Sequence, residues 1–134
     1  PDFSLDDMGE KKVTLKSLKG SVVIVDFWAT WCGPCVMSLP GLDKLYQDKK
    51  GAGLKVFAIN QEEDKNIVKE FIDKSKLTIP VLLDSKGEAG TAYQVAGIPP
   101  TVLIGKDGVV KKVIIGYDES GAMEKAVEAE FAAK

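Results

Sequence analysis

The sequence predicts an α/β fold, a central mixed β-sheet flanked by helices on both faces. Three observations carry that prediction. Short apolar runs alternate with helix-period segments through the first two thirds of the chain. Lys106-Asp107-Gly108, an Asp-Gly hairpin signal, separates two strand-like runs further on. A helix-period segment then closes the chain. Parallel strands joined by helices, followed by an antiparallel pair, make a sheet of mixed direction.

At the N-terminus, Phe3 and Leu5 alternate with polar residues, as do Val13 and Leu15, across the turn-like Met8-Gly9-Glu10. That is a β-hairpin pattern. Val22 to Phe27 is a short β-branched apolar run, expected as a buried central strand. Residues 34–49 place Val36, Leu39, Leu42 and Leu45 at helical spacing, with Pro40 expected to kink the helix and Gly51 and Gly53 to end it. Lys55 to Asn60 is the next strand. A helix follows from about Asp64 to Ser75, with Ile67, Val68, Phe71 and Ile72 as its apolar face. Val81 to Leu83 is a short strand and Glu88 to Gln94 a short helix. Thr101 to Ile104 and Val109 to Ile115 form the late hairpin. Glu119 to Phe131 is the closing helix, with Met123, Ala126, Val127 and Phe131 at helical spacing.

Composition narrows the chemistry. The 134 residues fit one domain, read as residues 1–134 with an N-terminal hairpin extension over 1–20. A formal net charge of −2 gives no basic surface for nucleic acid or an anionic membrane. Every basic side chain is Lys, and there is no His. Cys–His dyads, Ser–His–Asp triads and His-ligated metals are therefore excluded, and no metal site is expected. No stretch approaches the ~20 apolar residues of a membrane span. The chain starts at Pro1 without Met and reads as a fragment or processed form, which leaves room for a signal or membrane anchor upstream.

Cys32 and Cys35 stand two residues apart, directly after a strand and at the start of a helix. Only a thiolate attacks a disulfide. The partial positive charge at a helix N-terminus favours that thiolate. Cys32 is expected to be the exposed nucleophile, and Cys35, one turn inside, the shielded resolving thiol. Gly33 permits the tight turn, and Pro34 suits the first helical turn. Three plainer readings compete. A structural disulfide here would close a loop too small to restrain the unfolded chain much. A zinc half-site lacks two further ligands. Two inert buried thiols would not need this placement.

The segment Val25-Asp26-Phe27-Trp28-Ala29-Thr30-Trp31-Cys32-Gly33-Pro34-Cys35 is similar to the active-site segment of thioredoxins. The wider pattern resembles the TlpA/ResA-type extracytoplasmic thioredoxin-like proteins. It includes Phe3-x-Leu5, Val13-x-Leu15, Leu18-x-Gly20, Leu39-Pro40, Tyr93-x-Val95-x-Gly97-Ile98-Pro99 and Thr101-Val102-Leu103-Ile104. The resemblance covers essentially the whole chain and implies a thioredoxin fold.

It also implies roles. Asp26, among apolar neighbours, is expected to have a raised pKa, and its thioredoxin counterpart takes the proton of the resolving cysteine; the plainer reading is an Asp near a strand end with a donor beside it. Pro99 matches the family's cis-proline, whose loop offers Ile98 backbone groups to an extended substrate; Pro100 leaves the register open between the two prolines. Glu63 aligns with an acidic residue near the cysteines in some relatives, although Glu62, Glu63 and Asp64 also suit a helix start. Trp31 is expected to shield the thiols and shape the docking surface, and Trp28 to pack under the loop. Ser38 replaces a Glu common in ResA-type chains, and Ala58 a Lys frequent in thioredoxins.

The resemblance implies a protein-disulfide reductase, a monomer cycling between the Cys32/Cys35 dithiol and disulfide with no further cofactor. Its expected partners are protein thiols or disulfides and an upstream electron-donor protein. The expected address is extracytoplasmic in a bacterium, the cytoplasm being the other possibility. Reduction of apocytochrome c thiols is one task in that family. A thiol oxidase or isomerase, a two-Cys peroxidase, and a redox-regulated binding module using the Pro99 groove are the rivals.

Overall fold

The computed structural model describes residues 3–9, 11–93, 100–115 and 121–132, apart from the side chain of Pro34. Among them are seven strands in one sheet: β1 (Ser4–Asp7), β2 (Lys12–Thr14), β3 (Val23–Trp28), β4 (Lys55–Gln61), β5 (Val81–Asp84), β6 (Pro100–Ile104) and β7 (Val110–Ile115). The helices are α1 (Gly33–Lys49), α2 (Lys65–Ser75), α3 (Glu88–Ala92) and α4 (Ala122–Ala132). Strand order across the sheet is β2-β1-β5-β4-β3-β6-β7. β3 runs parallel to β4, and β4 to β5; β6 is antiparallel to β3 and to β7. The expected mixed sheet is the one observed.

The N-terminal hairpin is the edge of that sheet, because β1 pairs antiparallel with β5. Its turn is closed by Asp7, whose Oδ1 accepts the N–H groups of Gly9 (2.8 Å) and Lys11 (2.9 Å). A short Asp side chain can do this without leaving the turn. The strands are shifted from the alternating pairs, β1 starting after Phe3 and β2 ending before Leu15, and a 3-10 turn over Lys16–Leu18, unannounced in the sequence, leads into β3.

Strand alternation sorts the core into two layers. Val22, Ile24, Trp28, Val56, Ala58 and Leu103 face α1, α2 and α4, which contribute Leu39, Leu42, Val68 and Val127. Val23, Val25, Phe27, Phe57, Ile59, Val102 and Ile104 line the other face with Phe3 and Ala89. All six residues of β3 are buried. A strand covered on both faces loses the polar alternation of a surface strand, as its apolar run implied.

Some expectations shift. On α2, Val68 is fully buried while Ile67 is 50% exposed. The stripe runs through 68, 71 and 72, and Ile67 falls about 40° of helical turn beyond its edge at Phe71 and about 100° from Val68. α3 ends at Ala92, short of the expected Gln94, with Tyr93 as its C-cap; Gln94 lies outside the described residues, as do residues 119 and 120 of the closing helix. α4 begins at Ala122, after Gly121 at φ +76°. The helix α1 continues through Pro40.

Asp64 caps α2 by accepting the N–H of Asn66 at 2.9 Å. Asp64→Ala is expected to cost about 1 kcal/mol. A urea midpoint equal to the parent's would show that this cap does not hold α2 in place.

Candidate active site at the start of α1

β3 ends at Trp28, and four residues later the chain enters α1 with Cys32 as its N-cap. Cys32 has extended backbone angles (φ −93°, ψ +104°), as an N-cap requires. Its Sγ accepts the backbone N–H of Cys35 at 3.4 Å. One of the helix's orphan donors therefore points at the sulfur. Pro34 occupies the first helical turn, where its missing N–H leaves no helical bond unmade.

Cys32 and Cys35 are joined as a disulfide with Cα atoms 5.3 Å apart. Both are buried, at 6% and 5% exposure, which corrects the expectation that Cys32 alone would be exposed. In the disulfide, Cys32 Sγ is drawn onto Cys35 and its N–H, and both sulfurs join the core layer containing Trp28, Ala29 and Leu39. The two Trp residues separate clearly. Trp28 is fully buried with its ring 5.0 Å from that of Phe71. Trp31 is 73% exposed and Met37, on α1, is 60% exposed. The apolar surface beside the disulfide is thus presented outward, and burial of the sulfurs comes from the core layer.

Asp26 lies in β3, on the same sheet face as Ile24 and Trp28 by alternation. It is 2% exposed. Burial pushes its carboxyl up to about 7, partly opposed by a hydrogen bond from Thr101. The Thr101 hydroxyl donates to Oδ1 at 2.6 Å, whereas Oδ2 has no partner among the described residues. Ala58 stands in register beside Asp26 on β4, so that position brings no ammonium to the carboxyl.

Glu63 precedes the cap of α2, yet its carboxylate reaches back to the redox loop. Oε1 accepts the Thr30 N–H (2.7 Å) and the Asn60 amide (2.8 Å), and Oε2 accepts the Thr30 hydroxyl (2.5 Å). Asp64 serves the helix end and Glu63 the loop two residues before Cys32. The run of three acids could not say which did which. Ser38 bonds its own helix, donating to the Cys35 carbonyl at 2.9 Å.

Sequence reasoning missed Thr30, Asn60 and Thr101. Thr101 meets Asp26 through the antiparallel β3–β6 register, across 75 residues of chain. Asn60 pairs with Trp28 on adjacent strands. A polar residue at the end of an apolar strand is the only signal either leaves in the sequence. Ile98 and Pro99, with the expected cis bond between them, lie outside the described residues. No group of three or more Cys, Asp or Glu among the described residues is arranged to hold a metal.

The redoxin family pattern matches residues 1–130. The thiol-disulfide oxidoreductase ResA of Geobacillus kaustophilus is 35% identical over 128 residues, covering 96% of this chain and 74% of that protein. Among solved structures, a thiol:disulfide interchange protein of the thioredoxin family from Chlorobium tepidum superposes with a TM-score of 0.84 at 27% identity, covering 98% of this chain and 94% of that one. The pneumococcal exposed lipoprotein thioredoxin of Streptococcus pneumoniae superposes with a TM-score of 0.83 at 27% identity, covering 96% and 99%. With a redox-active cysteine pair at the mouth of a thioredoxin fold and these relatives along nearly its whole length, the chain belongs to the redoxin family, as a ResA-type thiol–disulfide oxidoreductase.

Proposed function

We propose that this oxidoreductase works as a reductase of protein disulfides. The observation that carries the reading is Cys32 Sγ at the N-cap of α1, accepting the Cys35 N–H. The same donor and the helix dipole would favour a Cys32 thiolate in the reduced protein. That thiolate attacks a substrate disulfide and forms a mixed disulfide. Cys35 then gives its proton to the Asp26 carboxylate and attacks Cys32 Sγ, and the substrate sulfur leaves as a thiolate that is protonated from solvent. An electron-donor protein restores the dithiol. Cys-Gly-Pro-Cys is the thioredoxin dipeptide arrangement, and thioredoxin is reducing at about −270 mV, which favours reduction over oxidation.

Trp31, Gly33 and Pro34, together with Ile98 and Pro99, are proposed as the docking surface for an extended substrate. The exposed Trp31 ring supports this, since aromatic anchors dominate such contacts. The proposed setting is one domain over 1–134, monomeric and extracytoplasmic, with cytochrome c maturation as a candidate task; the exposed lipoprotein and ResA relatives support that address. An insulin-disulfide turnover assay with a reductant tests the activity. A measured potential near that of strong oxidants, about −120 mV, would overturn the reductase direction.

Glu63 is proposed to tune the pair. Its carboxylate sits on the N–H of Thr30, two residues before Cys32, and like charges oppose one another. Glu63→Gln removes the charge while its amide can still pair with Thr30. The Cys32 thiol is expected to titrate lower by roughly 0.5–1 pH unit, with a less negative potential. Thiolate absorbance followed against pH reads this directly; an unshifted curve leaves Glu63 as a structural tie.

A further inference from the structure

The two oxygens of the Asp26 carboxyl are in different circumstances. Oδ1 accepts the Thr101 hydroxyl at 2.6 Å. Oδ2 is buried and has no partner among the described residues. Thr101 stands directly opposite Asp26 in the antiparallel β3–β6 pair, so sheet register sets the contact.

We propose that Thr101 is a positioning residue for the proton-transfer step: its hydroxyl holds Oδ1 of Asp26 and leaves Oδ2 to take the proton of Cys35. This rests on the reading of Asp26 as proton acceptor. The step balances. Cys35 loses its proton to Oδ2, and its sulfur attacks Cys32 Sγ. The Cys32–substrate S–S bond breaks as the Cys32–Cys35 bond forms, and the substrate sulfur leaves with the electron pair as a thiolate that takes a proton from solvent. The substrate disulfide has then gained two electrons from the protein dithiol.

Among the described residues, few other charges reach the carboxyl. β4 presents Ala58, and β6 presents Thr101. In the core layer on this face, the titratable groups among the described residues are the cysteines at the start of α1, once reduced, and the half-buried Tyr46 further along α1, whose ring lies under Lys50. On α1, Asp43 is held by Thr78, Lys44 and Asp48 are exposed, and Lys49 lies beside Glu128 of α4 at 3.9 Å. On α2, Lys65, Lys69, Glu70, Asp73 and Lys74 are exposed, and Glu63 at its approach is occupied by Thr30 and Asn60. On α4, Glu124, Lys125 and Glu128 are exposed and Glu130 is half-buried. The Thr101 hydroxyl is therefore the main partner that steadies the carboxylate against burial, and a single hydrogen bond there has leverage.

The test uses the full chain as parent, Thr101→Val, Thr101→Ser and Asp26→Asn. Asp26 is titrated by carboxyl carbon-13 resonances in the oxidised protein, and single-turnover insulin reduction is followed against pH. Thr101→Val keeps shape and β-branching but deletes the donor. It is expected to move the Asp26 titration upward by about one pH unit, with the acid limb of the rate following it. Well below that limb the rate falls roughly tenfold. Thr101→Ser restores the hydroxyl and is expected to return both curves towards the parent's. An unshifted Thr101→Val, or a Thr101→Ser shifted equally far, overturns the inference. If Asp26→Asn alters the pH profile and Thr101→Val does not, only the Thr101 inference falls. If the Asp26→Asn profile matches the parent's, the proton-acceptor reading falls and takes this inference with it.

Discussion

Cys32→Ser is expected to bring insulin-disulfide reduction down to the rate of the reductant alone, a loss on the order of 10³-fold or more. The argument is chemical. A disulfide is opened only by a thiolate, and no cysteine besides Cys32 and Cys35 exists in the chain. Cys35 is not expected to take over, because Cys32 is the cap of α1 and its sulfur receives the Cys35 N–H, whereas Cys35 lies inside the first turn. Cys35→Ser should behave differently. The first attack survives, the mixed disulfide on Cys32 has no internal thiol to release it, and a covalent adduct accumulates with one half of a disulfide-bearing peptide, the other half leaving as a thiol. Adduct mass and turnover together separate the two roles. Turnover retained in Cys32→Ser would sink the mechanism, and adduct trapped on Cys35 in that variant would reverse the assignment.

The second large effect concerns stability. Asp26 has its carboxyl raised from 3.8 to about 7 in the folded protein. Between those values the unfolded chain has released this proton and the folded chain still holds it. Stability therefore falls as pH rises through that window and levels off above about 7. At 1.36 kcal/mol per unit, the full penalty is roughly 4 kcal/mol. The group is buried, so solvent screening does little to reduce it. Asp26→Asn removes the titration and keeps an oxygen for the Thr101 hydroxyl, although its amide N–H groups gain no assured partner. The variant should gain on the parent by several kcal/mol between about pH 4 and about pH 8, more than any offset at low pH. Urea unfolding of both oxidised proteins across that range checks it. Parallel curves would mean that Asp26 is not desolvated as its burial requires. The same destabilising carboxyl is the proposed proton acceptor, so the site trades stability for a group that titrates near neutral pH.

Much of this was legible in the chain because the signals are local. The apolar run at Val22–Phe27 marks a strand covered on both faces, since no polar alternation survives there. Lys106-Asp107-Gly108 marks the β6–β7 hairpin, where Gly108 takes φ +80°. Spacing placed Cys32 and Cys35 at a helix start, and the structure makes Cys32 the cap. Ile67 misled because helical spacing names a stripe without fixing its edge.

What the sequence by itself determined is the chemistry and the order of elements: a cysteine pair on a strand–helix junction, in an α/β chain with a late antiparallel hairpin. Tertiary structure alone decided the partners of the groups that would tune that chemistry. Asp26 meets Thr101 because β6 pairs antiparallel with β3 in one register. Glu63 meets Thr30 because the β3–β4 pairing brings their C-terminal ends together. Burial of Cys32 follows from its bond to Cys35 and the core layer beneath it. The physical reason is common to all three: propensity and periodicity act over a few residues, whereas hydrogen-bond partners and desolvation depend on which distant segments the sheet brings to within about 3 Å.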